Sequence, residues 1–574
     1  MFLFIYNICV KVQIKIEADS HYISQKIAVV FYRALLIYFI VLFTNGLFGQ
    51  FYHDQFSKYD TLRGSLTEAR SNYDVLSYDL DLKLIIERKE IRGSNNIKFE
   101  VVKELDSLQI DLFSNMYIDS IVFLNENISF RRDSNVTYVY FPWKLLRGTV
   151  NFIKVFYNGV PQVAKNPPWD GGFVWNKDKN GKPWVGVACE GVGASLWWPN
   201  KDHLSDEPDR VTINLSVPSE LMGISNGRLV NKKRLKNGYT KFTWLVNNPI
   251  NNYNITLNVA DYELFKDVYI NADGDSLSLD YYVFPYNLDT AREHFKQTIE
   301  MLECFEKVCG KYPFYNDGFK IVETSYWGME HQSCIAYGNN FKNNRWGFDF
   351  ILIHESAHEW FGNSLSCKDH AEMWLHEAFA TYMEALYMEC KFGFERSIDY
   401  LRSQRIFINK EPIIGPNDVN FRYWISSDMY YKGSWILHTL RNVIGDDALW
   451  FDILNIFTTK HKRSTIETSD FISLVSDETG RKLDYFFDQY LMSAELPIFK
   501  YRLKRKKKNQ LEFEYMWEAK VEGFRMPIKV TTEKDKFKMI FPDDKWKSMT
   551  LENIKIDEFQ VAEHLYLIKT EKLK

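Results

Sequence analysis

Residues 351–387 read ILIHESAHEWFGNSLSCKDHAEMWLHEAFATYMEALY, and this stretch carries the strongest chemical signal in the chain. His354 and His358 are four residues apart, so a helix would place both imidazoles on one face, one turn apart. Two such imidazoles can meet a single tetrahedral Zn²⁺. Glu355 lies beside the same face, where its carboxylate can take a proton from a zinc-bound water. The stretch therefore predicts a metal-binding helix with a general base next to it.

A third metal ligand follows in the same stretch. Eighteen residues separate His358 from Glu377, which lies within a second helical segment that begins at Ala371. If this helix returns antiparallel, its carboxylate points at the same metal. Two imidazoles and one carboxylate leave a fourth position for water, which is the composition of a catalytic zinc site. Glu384 lies on the same helical face, and it is either a residue that orients a ligand or an exposed helical carboxylate.

In the sequence before this stretch, apolar and polar residues alternate with the two-residue period of β-strands. From Tyr73 it reads YDVLSYDLDLKLIIERKEIRGSNNIKFEVV. The apolar residues that alternate with polar ones in its first strand are Leu76, Tyr78, Leu80, Leu82 and Leu84. This alternation, with turn residues between the runs, predicts antiparallel strands with one solvent-facing side. Similar runs recur as far as Val259, so residues 50–262 are predicted to be an N-terminal antiparallel β-domain.

The period of the pattern changes near Asp289. From Thr290 apolar residues recur at helical spacing, and Gly310 closes the run. Helical sequence continues to about Glu495, and short alternating runs return after Pro497. We therefore predict a multidomain α+β protein. Its three parts are the N-terminal β-domain, a mostly helical catalytic domain over 263–495 and a small C-terminal β-sandwich over 496–574.

Length and composition agree with several packed domains. The chain has 574 residues, and its 71 Lys and Arg against 75 Asp and Glu give a net charge of −4. This balance is unlike that of a protein built mainly to bind nucleic acid, so we expect no nucleic-acid partner. Aromatic residues make up 16% of the chain, which favours abundant β structure or aromatic-lined clefts.

The N-terminal region carries an export pattern. An apolar run of 10 residues, Ala34–Phe43, follows the basic residues Lys26 and Arg33 and precedes a small-residue stretch that ends at Gly49. A membrane span needs about 20 such residues, so the run is typical of a secretory signal. We expect residues 1–49 to be a signal peptide with its preceding segment, and the protein to be periplasmic or extracellular with no stable membrane span after cleavage. An uncleaved anchor and a buried helix are the alternatives.

The seven cysteines do not form a pattern of their own. None lies in a CxxC pair, so a thiolate zinc cluster has no support. So few cysteines in so long a chain do not make a disulfide scaffold. Cys304 and Cys309 are five residues apart on a helical stretch, and we predict that they are two core thiols.

The pattern HExxH, 18 residues, Glu resembles that of the gluzincin aminopeptidases, the family of aminopeptidase N and leukotriene hydrolase. WGMEH at Trp327–His331 occupies the place of the family's GxMEN motif, and YYKG at Tyr430–Gly433 resembles its YxKG motif. YDVLSYDLDLKL from Tyr73 resembles its first β-domain segment, and the likeness extends from about 73 to about 500. It implies a thermolysin-like catalytic domain with one Zn²⁺ per chain, held by the ligands His354, His358 and Glu377.

The resemblance also implies roles around the metal. An aminopeptidase must hold a free α-ammonium at a fixed distance from the metal, which a carboxylate in a dry cleft does by charge-assisted hydrogen bonding. Glu330 takes this role by resemblance, and Glu190 matches a β-domain residue of the same pocket. Tyr430 matches the family's catalytic tyrosine, which stabilises the oxyanion together with zinc. Further substrate-binding residues are expected to be Tyr326, Gly328 and Met329.

Three residues depart from the family pattern. Trp327 stands for the first Gly of GxMEN, His331 for its Asn, and His376 for the Asn before the third ligand. Because Trp is much bulkier than Gly, we expect a differently shaped pocket near the substrate N-terminus. The family's common C-terminal helical domain has no counterpart after Pro497, as in a secreted bacterial member that lacks it, so we expect a more open cleft. The aromatic residues expected at this cleft are Tyr326, Trp327, Trp360, Trp374, Tyr430 and Tyr431.

The sequence thus predicts a zinc-dependent aminopeptidase that releases single N-terminal residues from peptides with a free N-terminus. One alternative is a thermolysin-like endopeptidase, which shares the metal residues but needs no ammonium anchor. The other is a non-catalytic surface binding protein that retains the fold. Such a protein has usually lost a ligand or the base, and all four residues are present in this sequence.

Overall fold

A computed structural model describes residues 56–407, 409, 411–420, 426–507, 510–534 and 536–574. The predicted export segment, residues 1–49, lies outside these described residues. Lys58–Lys574 form one compact unit. Among the helices in the described ranges, none combines the length and the apolar character that a bilayer crossing requires.

The N-terminal region is rich in strands, as predicted, but it begins with two short helices, α1 Lys58–Gly64 and α2 Glu68–Ser71. The region was predicted to contain strands only. The helices form here because two buried arginines anchor them: Arg63 pairs with Asp202 at 2.8 Å, and Arg70 binds the buried carboxylate of Asp111. The strands that follow are β1 Tyr73–Ile85, β2 Glu90–Val101, β3 Leu105–Asp111, β4 Met116–Phe123, β5 Glu126–Asn127, β6 Phe130–Asp133, β7 Val136–Leu145, β8 Val150–Gly159, β9 Gly172–Lys177, β10 Pro183–Ala188, β11 Arg210–Pro218, β12 Met222–Ser225, β13 Arg228–Arg234, β14 Tyr239–Val246, β15 Leu257–Ala260, β16 Glu263–Ile270 and β17 Ser276–Val283.

Eight of these strands belong to one large sheet. Its eight strands have the order β13-β14-β11-β1-β2-β8-β4-β5, with β1 antiparallel to β2 and parallel to β11. Smaller sheets of order β3-β7-β6 and β12-β15-β10-β9 complete the region. Strand β10 ends at Ala188, so this second small sheet delivers Glu190 in the loop that follows.

The predicted register of β1 is wrong at its start, because the strand contains a β-bulge there. The pairing with β2 shifts between Val75 and Ser77, so that Val75 is buried and Leu76 is not. After the bulge the predicted alternation holds, with Tyr78, Leu80, Leu82 and Leu84 all buried. One extra residue in a strand moves every later side chain to the other face, and hydrophobic spacing alone does not show where such a residue lies.

The central region combines a sheet with helices. Strands β18 Phe319–Glu323, β19 Gly328–Met329 and β20 Ile335–Tyr337 join β16 and β17 in a sheet of order β16-β17-β18-β20-β19. Two further short strands, β21 Leu365–Cys367 and β22 Ser464–Ile466, pair with each other. The helices are α3 Leu288–His294, α4 Gln297–Cys309, α5 Phe350–Ala357, α6 Trp374–Phe392, α7 Phe394–Ser403, α8 Asp428–Ile444, α9 Asp447–Lys460, α10 Thr468–Thr479 and α11 Asp484–Leu491.

A disulfide joins two of these helices and corrects the prediction for Cys304. Cys304 in α4 is bonded to Cys390 at the end of α6, 86 residues later. Cys309 is a buried free thiol, as predicted. The bond links α4 to α6, the helix that carries Glu377.

The C-terminal region is again built from strands. They are β23 Ile498–Lys507, β24 Gln510–Glu518, β25 Ile528–Glu533, β26 Lys536–Ile540, β27 Lys547–Glu552 and β28 Lys569–Lys572. They form a four-stranded sheet of order β27-β24-β23-β28 and a β25-β26 ribbon. Trp517 of the sheet donates a hydrogen bond to the carbonyl of Met526, just before the ribbon, and packs on Phe524.

Candidate metal centre and substrate cavity

The HExxH helix, α5, is fixed at its N-terminus by Asp349. The Asp349 carboxylate caps the helix by accepting a hydrogen bond from the backbone N–H of Leu352 at 3.2 Å. It also accepts a hydrogen bond from the hydroxyl of Tyr337 in β20. Such a cap satisfies N–H groups that a helix end leaves free. His354 therefore lies in the last turn of a short, well-anchored helix, and His358 is its C-terminal capping residue.

The three predicted metal ligands meet at one point. The Nε2 atoms of His354 and His358 are 3.3 Å apart, and each lies 3.4 Å from Oε2 of Glu377. Zinc–ligand bonds of about 2.0–2.1 Å in a tetrahedron require donor atoms about 3.3–3.4 Å apart, because the edge is roughly 1.6 times the bond. Oε2 of Glu377 is buried and accepts no hydrogen bond from a described residue. The donor set and its spacing therefore fit a Zn²⁺ ion.

The outer nitrogens of both imidazoles are held by hydrogen bonds. Nδ1 of His354 donates to Oε1 of Glu384 at 2.7 Å, and Nδ1 of His358 donates to the carbonyl of Phe361 at 2.9 Å. These bonds place the proton on Nδ1 and leave both Nε2 lone pairs for the metal. Glu384 is fully buried, so of the two interpretations of this residue the structure supports the one that orients a ligand.

Glu384 is itself held by side chains from the next helix and the residue after it. Its Oε2 accepts hydrogen bonds from the hydroxyl of Tyr400 and from Nε2 of Gln404, the latter at 3.0 Å. The ring of Phe350 stacks on His354, with centroids 5.4 Å apart. The imidazole of His354 is therefore fixed in position and in rotation by the protein.

Glu355 faces the same point from the neighbouring position of α5. Its carboxylate is buried, and burial raises its pKa to about 8 against the opposing effect of His354 and His358. One ligand atom from each of Glu330, Glu355 and His358 lies within 4.8 Å of the others. The predicted base and the predicted ammonium anchor are therefore close neighbours.

Tyr430 reaches the site from the first turn of α8. Its ring lies 6.2 Å from the ring of His354, and burial together with the facing carboxylate of Glu377 raises the pKa of its hydroxyl well above the usual value. The hydroxyl is therefore protonated at neutral pH and can donate a hydrogen bond. Close packing of α8 on α6 brings it there: a Cβ added at Gly433 would lie 2.4 Å from the Cβ of Ala378. Glycine at this position lets the two helices approach.

Glu330 is buried, and a residue of the β-domain fixes its carboxylate by a hydrogen bond. The hydroxyl of Tyr253 donates to its Oε1 at 3.0 Å, and the same hydroxyl lies 3.5 Å from Nδ1 of His376. Nε2 of His376 accepts a hydrogen bond from the backbone N–H of Cys367 at 2.8 Å. This chain of contacts fixes the Glu330 carboxylate next to the metal ligands.

One cavity of about 410 Å³ is lined by the three predicted metal ligands and by Glu330, Glu355, Glu384 and Tyr430. Glu190 lines it as well, and burial and the neighbouring Glu330 carboxylate raise the pKa of Glu190 well above its usual range. Among the described residues, none donates a hydrogen bond to the Glu190 carboxylate. The cavity thus combines a metal centre with carboxylates that are costly to bury without a cationic partner. Its aromatic and apolar lining includes Trp169, Trp327, Met329, Phe350, Met429, Tyr430 and Tyr431.

Comparison with known proteins agrees with this geometry. Residues 294–490 match the Peptidase family M1 domain, and this range includes the three predicted metal ligands, Glu355, Glu330 and Tyr430. The chain carries a peptidase family M1 domain. The family's sequence resemblance noted above is therefore confirmed.

Curated relatives of this chain are about a quarter identical to it, or less, over the residues that match. It is 24% identical to aminopeptidase N of Lactococcus lactis over 237 residues, which cover 38% of this chain and 27% of that protein. It is 22% identical to aminopeptidase 2 of Candida albicans over 462 residues, which cover 75% of this chain and 48% of that protein. The chain therefore spans less than half the length of these relatives.

Solved structures show the same fold. An M1 zinc metallopeptidase of Deinococcus radiodurans, solved as a mutant bound to a Tyr-Ser-Ala substrate, superposes with a TM-score of 0.63 at 18% identity. The match covers 74% of this chain and 96% of that one. A multidomain arrangement with a β-rich N-terminal part and a helical catalytic part is thus shared with M1 peptidases.

Not every residue that the sequence placed at the M1 site lies there. Tyr326 does not line the cavity: it is buried, packs against Gly186 and donates a hydrogen bond to the carbonyl of Val187 at 3.3 Å. Trp360 and Trp374 are also core residues, whose indole N–H groups bond to Gly310 and Thr468. A bulky aromatic side chain near a motif in sequence can pack in the core beneath a site as readily as it can line the site. Gly328, Met329, Tyr430 and Tyr431 do line the cavity.

The structure also adds M1 site residues that the sequence did not single out. Tyr253 holds Glu330, Tyr400 and Gln404 hold Glu384, and Trp169 lines the cavity from the β-domain. Each lies outside a recognisable motif, and no spacing in the sequence links it to its partner. The Lys of the YxKG motif, Lys432, is structural: its Nζ donates to the carbonyls of Ser493 and Ala494 at 3.1 Å each.

Proposed function

We propose that this chain is a zinc-dependent aminopeptidase that releases N-terminal residues from peptides. The observation that carries the proposal is the presence of two carboxylates, the buried Glu330 and the half-buried Glu190, in the same cavity as the metal triad. A buried carboxylate is stabilised by a cation, and the free α-ammonium of a peptide is a cation at the end of the chain to be cut. The names of the M1 relatives, aminopeptidases among them, support this assignment.

The metal site would hold one Zn²⁺ through His354, His358 and Glu377. When bound, Zn²⁺ supplies a Lewis acid that polarises the scissile carbonyl and makes water more acidic. Glu355 accepts the proton of the attacking water and later delivers it to the leaving amine. Its buried carboxylate, close to His358 of the triad, is in position for both roles.

Other residues orient the substrate and stabilise charge. Glu330, fixed by Tyr253, and Glu190 hold the α-ammonium, so the first peptide bond is presented to the metal centre. The protonated hydroxyl of Tyr430 donates a hydrogen bond to the oxyanion that develops during attack. Holding the reacting groups in place in this way removes much of the entropic barrier.

The same carboxylates argue against the endopeptidase alternative. An endopeptidase must bind a chain that continues on both sides of the cut bond, and the position beside His358 would then receive a neutral peptide group. Two desolvated carboxylates with raised pKa values gain nothing from a neutral group there. The pocket is therefore complementary to a chain end and not to the middle of a chain.

A panel of aminoacyl reporter substrates, assayed with and without added zinc and after chelation, tests the proposal. Free peptides and their N-acetylated forms are then digested side by side. We expect cleavage of the free peptides only, loss of activity on chelation and its return with zinc. Equal cleavage of acetylated and free peptides would show an endopeptidase, and zinc binding without any hydrolysis would show a binding protein.

A Glu330→Gln variant tests the anchor itself. We expect it to raise KM for free peptides while the protein keeps its zinc, because a neutral amide cannot replace the carboxylate opposite an ammonium. The matched control is Glu323→Gln, a buried carboxylate on β18 that bonds to the backbone of Phe284 and the side chain of Asn287 and lies outside the cavity lining.

We further propose that the protein is exported. The export pattern of residues 1–49 supports this, and so does the Cys304–Cys390 disulfide, because disulfides persist mainly in oxidising compartments. N-terminal sequencing of the mature protein from a producing cell, together with cell fractionation, tests it. A mature chain that begins near Gln50 outside the cytoplasm would support export, and a full-length cytoplasmic chain would exclude it.

A further inference from the structure

A second cavity of about 390 Å³ adjoins the substrate cavity beside His354. Four residues line both cavities: Trp327, Phe350, Glu384 and Tyr431. Two of them contact His354 directly, since Phe350 stacks on its ring and Glu384 accepts its Nδ1 hydrogen bond. The second cavity is therefore reached from the metal triad past Phe350 and the half-exposed Trp327.

The ammonium anchor lies on the side of the other imidazole. The ligand atoms of Glu330, Glu355 and His358 are within 4.8 Å of one another. A peptide whose first residue is held by Glu330 beside His358 thus has its scissile bond at the triad. The residues after that bond then continue past His354, toward the second cavity.

The two cavities differ in charge. The first is acidic, with Glu190, Glu330, Glu355 and Glu377 in its lining. The second is lined by the cations Lys342 and Arg345, both exposed, and neither forms an ion pair with any residue in the described ranges. Its one carboxylate, Glu384, is already satisfied by hydrogen bonds from His354, Tyr400 and Gln404.

Arg345 lies next to an aromatic side chain. The guanidinium of Arg345 lies over the ring of Trp346, 5.2 Å from its centroid, and Arg396 lies on the same ring at 5.1 Å. Arg396 faces the carboxylate of Asp399 at 3.6 Å, so it is already paired. Stacking on an aromatic ring restricts the side chain of Arg345 but leaves its N–H donors free for a ligand.

We propose that the second cavity binds a carboxylate of the substrate, downstream of the cleaved bond, through Lys342 and Arg345. The inference rests on the proposed function, because the ammonium anchor sets the direction of the peptide. An acidic cavity and a basic cavity on either side of the metal centre match the two ends of a short zwitterionic peptide. The substrates are then short free peptides, or peptides with an acidic residue shortly after the cleaved bond.

Peptide pairs that differ in one charge test this inference and separate the two sources of the carboxylate. The kcat/KM of the zinc-loaded enzyme is measured for Ala-Ala-Ala, its C-terminal amide and the amide of Ala-Ala-Asp, and then for longer alanine peptides. We expect the free acid to be preferred over the amide by about tenfold, as two partly exposed ion pairs provide. If Ala-Ala-Asp-amide is cleaved about as well as the free acid Ala-Ala-Ala, the site also accepts an acidic side chain. If it is cleaved only as well as Ala-Ala-Ala-amide, the site is specific for the chain end.

A double variant, Lys342→Ala with Arg345→Ala, tests the residues. We expect the ratio of free acid to amide to fall from about ten to about one. The matched control is Arg234→Ala with Lys236→Ala, two exposed cations at the β13–β14 hairpin that line neither cavity. An unchanged ratio in the cavity variant, or no preference in the unaltered enzyme, would overturn the inference.

Binding separates this inference from the proposed function. Calorimetry on the zinc-loaded Glu355→Gln protein measures the affinity for Ala-Ala-Ala and for its amide without turnover. If the reporter panel shows no hydrolysis but the free acid still binds about tenfold tighter, the proposed function fails and the carboxylate site stands. If reporters are hydrolysed and the two peptides bind equally, the carboxylate site fails and the proposed function stands.

Discussion

The carboxylate of Glu355 packs directly against the backbone of Gly328. A Cβ built at Gly328 would lie 2.3 Å from Oε1 of Glu355 and 2.9 Å from Cγ2 of Ile351. Gly328 belongs to β19, the short strand that leads to Glu330, so the absence of one methyl group gives Glu355, the proposed general base, its place beside Glu330, the proposed ammonium anchor. This is a close approach that only glycine allows.

Gly328→Ala is therefore expected to lower kcat by about a hundredfold with little loss of stability. The new methyl group displaces the flexible end of Glu355, which costs the fold little, but a shift of about 1 Å in a reacting group is enough for such a loss. Steady-state kinetics on a reporter substrate and a thermal melt measure the two effects.

The control for this prediction is the same change in a Glu355→Ala background. With the carboxylate gone, the methyl group has nothing catalytic to displace, so Gly328→Ala should cause no further loss there. Equal losses in both backgrounds would show that Gly328 acts on the cavity in another way.

Glu355→Gln is expected to lower turnover by on the order of a hundredfold or more, because the amide cannot accept the proton of the attacking water. Zinc content should be unchanged, since the residue is not a ligand of the triad. Metal analysis of the purified variant and single-turnover kinetics measure this. Full activity with an amino-acid amide reporter would remove Glu355 from the mechanism.

The metal triad could be predicted because its chemistry is local. His354 and His358 are brought together by one turn of helix, and Glu377 follows on the next helix after a short connection. On a helix, the number of residues between two side chains determines how far apart they lie. The alternating strands of the β-domain were predictable for the same reason, except where the bulge after Val75 changed the register.

The contacts that orient these groups could not be predicted from the sequence. Tyr253 lies 77 residues from Glu330, and Cys304 lies 86 residues from Cys390. Such pairs are set by how layers pack, and neither partner stands in a periodic pattern that marks it. Tyr326 shows the converse, since it adjoins a motif in sequence and yet points into the core against Gly186.

Glu384→Gln is expected to weaken zinc binding by about 10- to 100-fold, because the amide no longer fixes the Nδ1–H of His354 as a charged acceptor does. Competition with a chromogenic chelator measures the affinity. Glu395→Gln, an exposed carboxylate on α7, is the matched control and should bind zinc normally. Tyr400→Phe should have a smaller effect, since it removes only one of the bonds that hold Glu384. Unchanged affinity in Glu384→Gln would show that the hydrogen bond to His354 does not tune the site.

His331, which stands for the Asn of the family motif, is expected to make the fold sensitive to acid. Its ring is buried, neither nitrogen has a hydrogen-bonding partner in the described part of the chain, and burial lowers its pKa from 6.5 to about 3. The unfolded chain therefore binds one more proton than the folded chain between these two values. The free energy of unfolding keeps its full value above about pH 6.5 and falls below it, by about 1.4 kcal/mol per pH unit for this group.

Replacing His331 with Phe, a ring of similar size that does not titrate, isolates this contribution. Urea unfolding of both proteins at pH 7.5, 6 and 5, with a chelator present so that acid release of metal affects neither, gives the two stability curves. The curves should diverge below pH 6.5, with the unaltered protein losing stability faster by up to about 1.4 kcal/mol per unit. Other buried histidines, such as His438 with a pKa of about 3, contribute equally to both proteins and cancel. Parallel curves would mean that His331 gains a proton without cost in the folded state, and that its burial does not limit stability in acid.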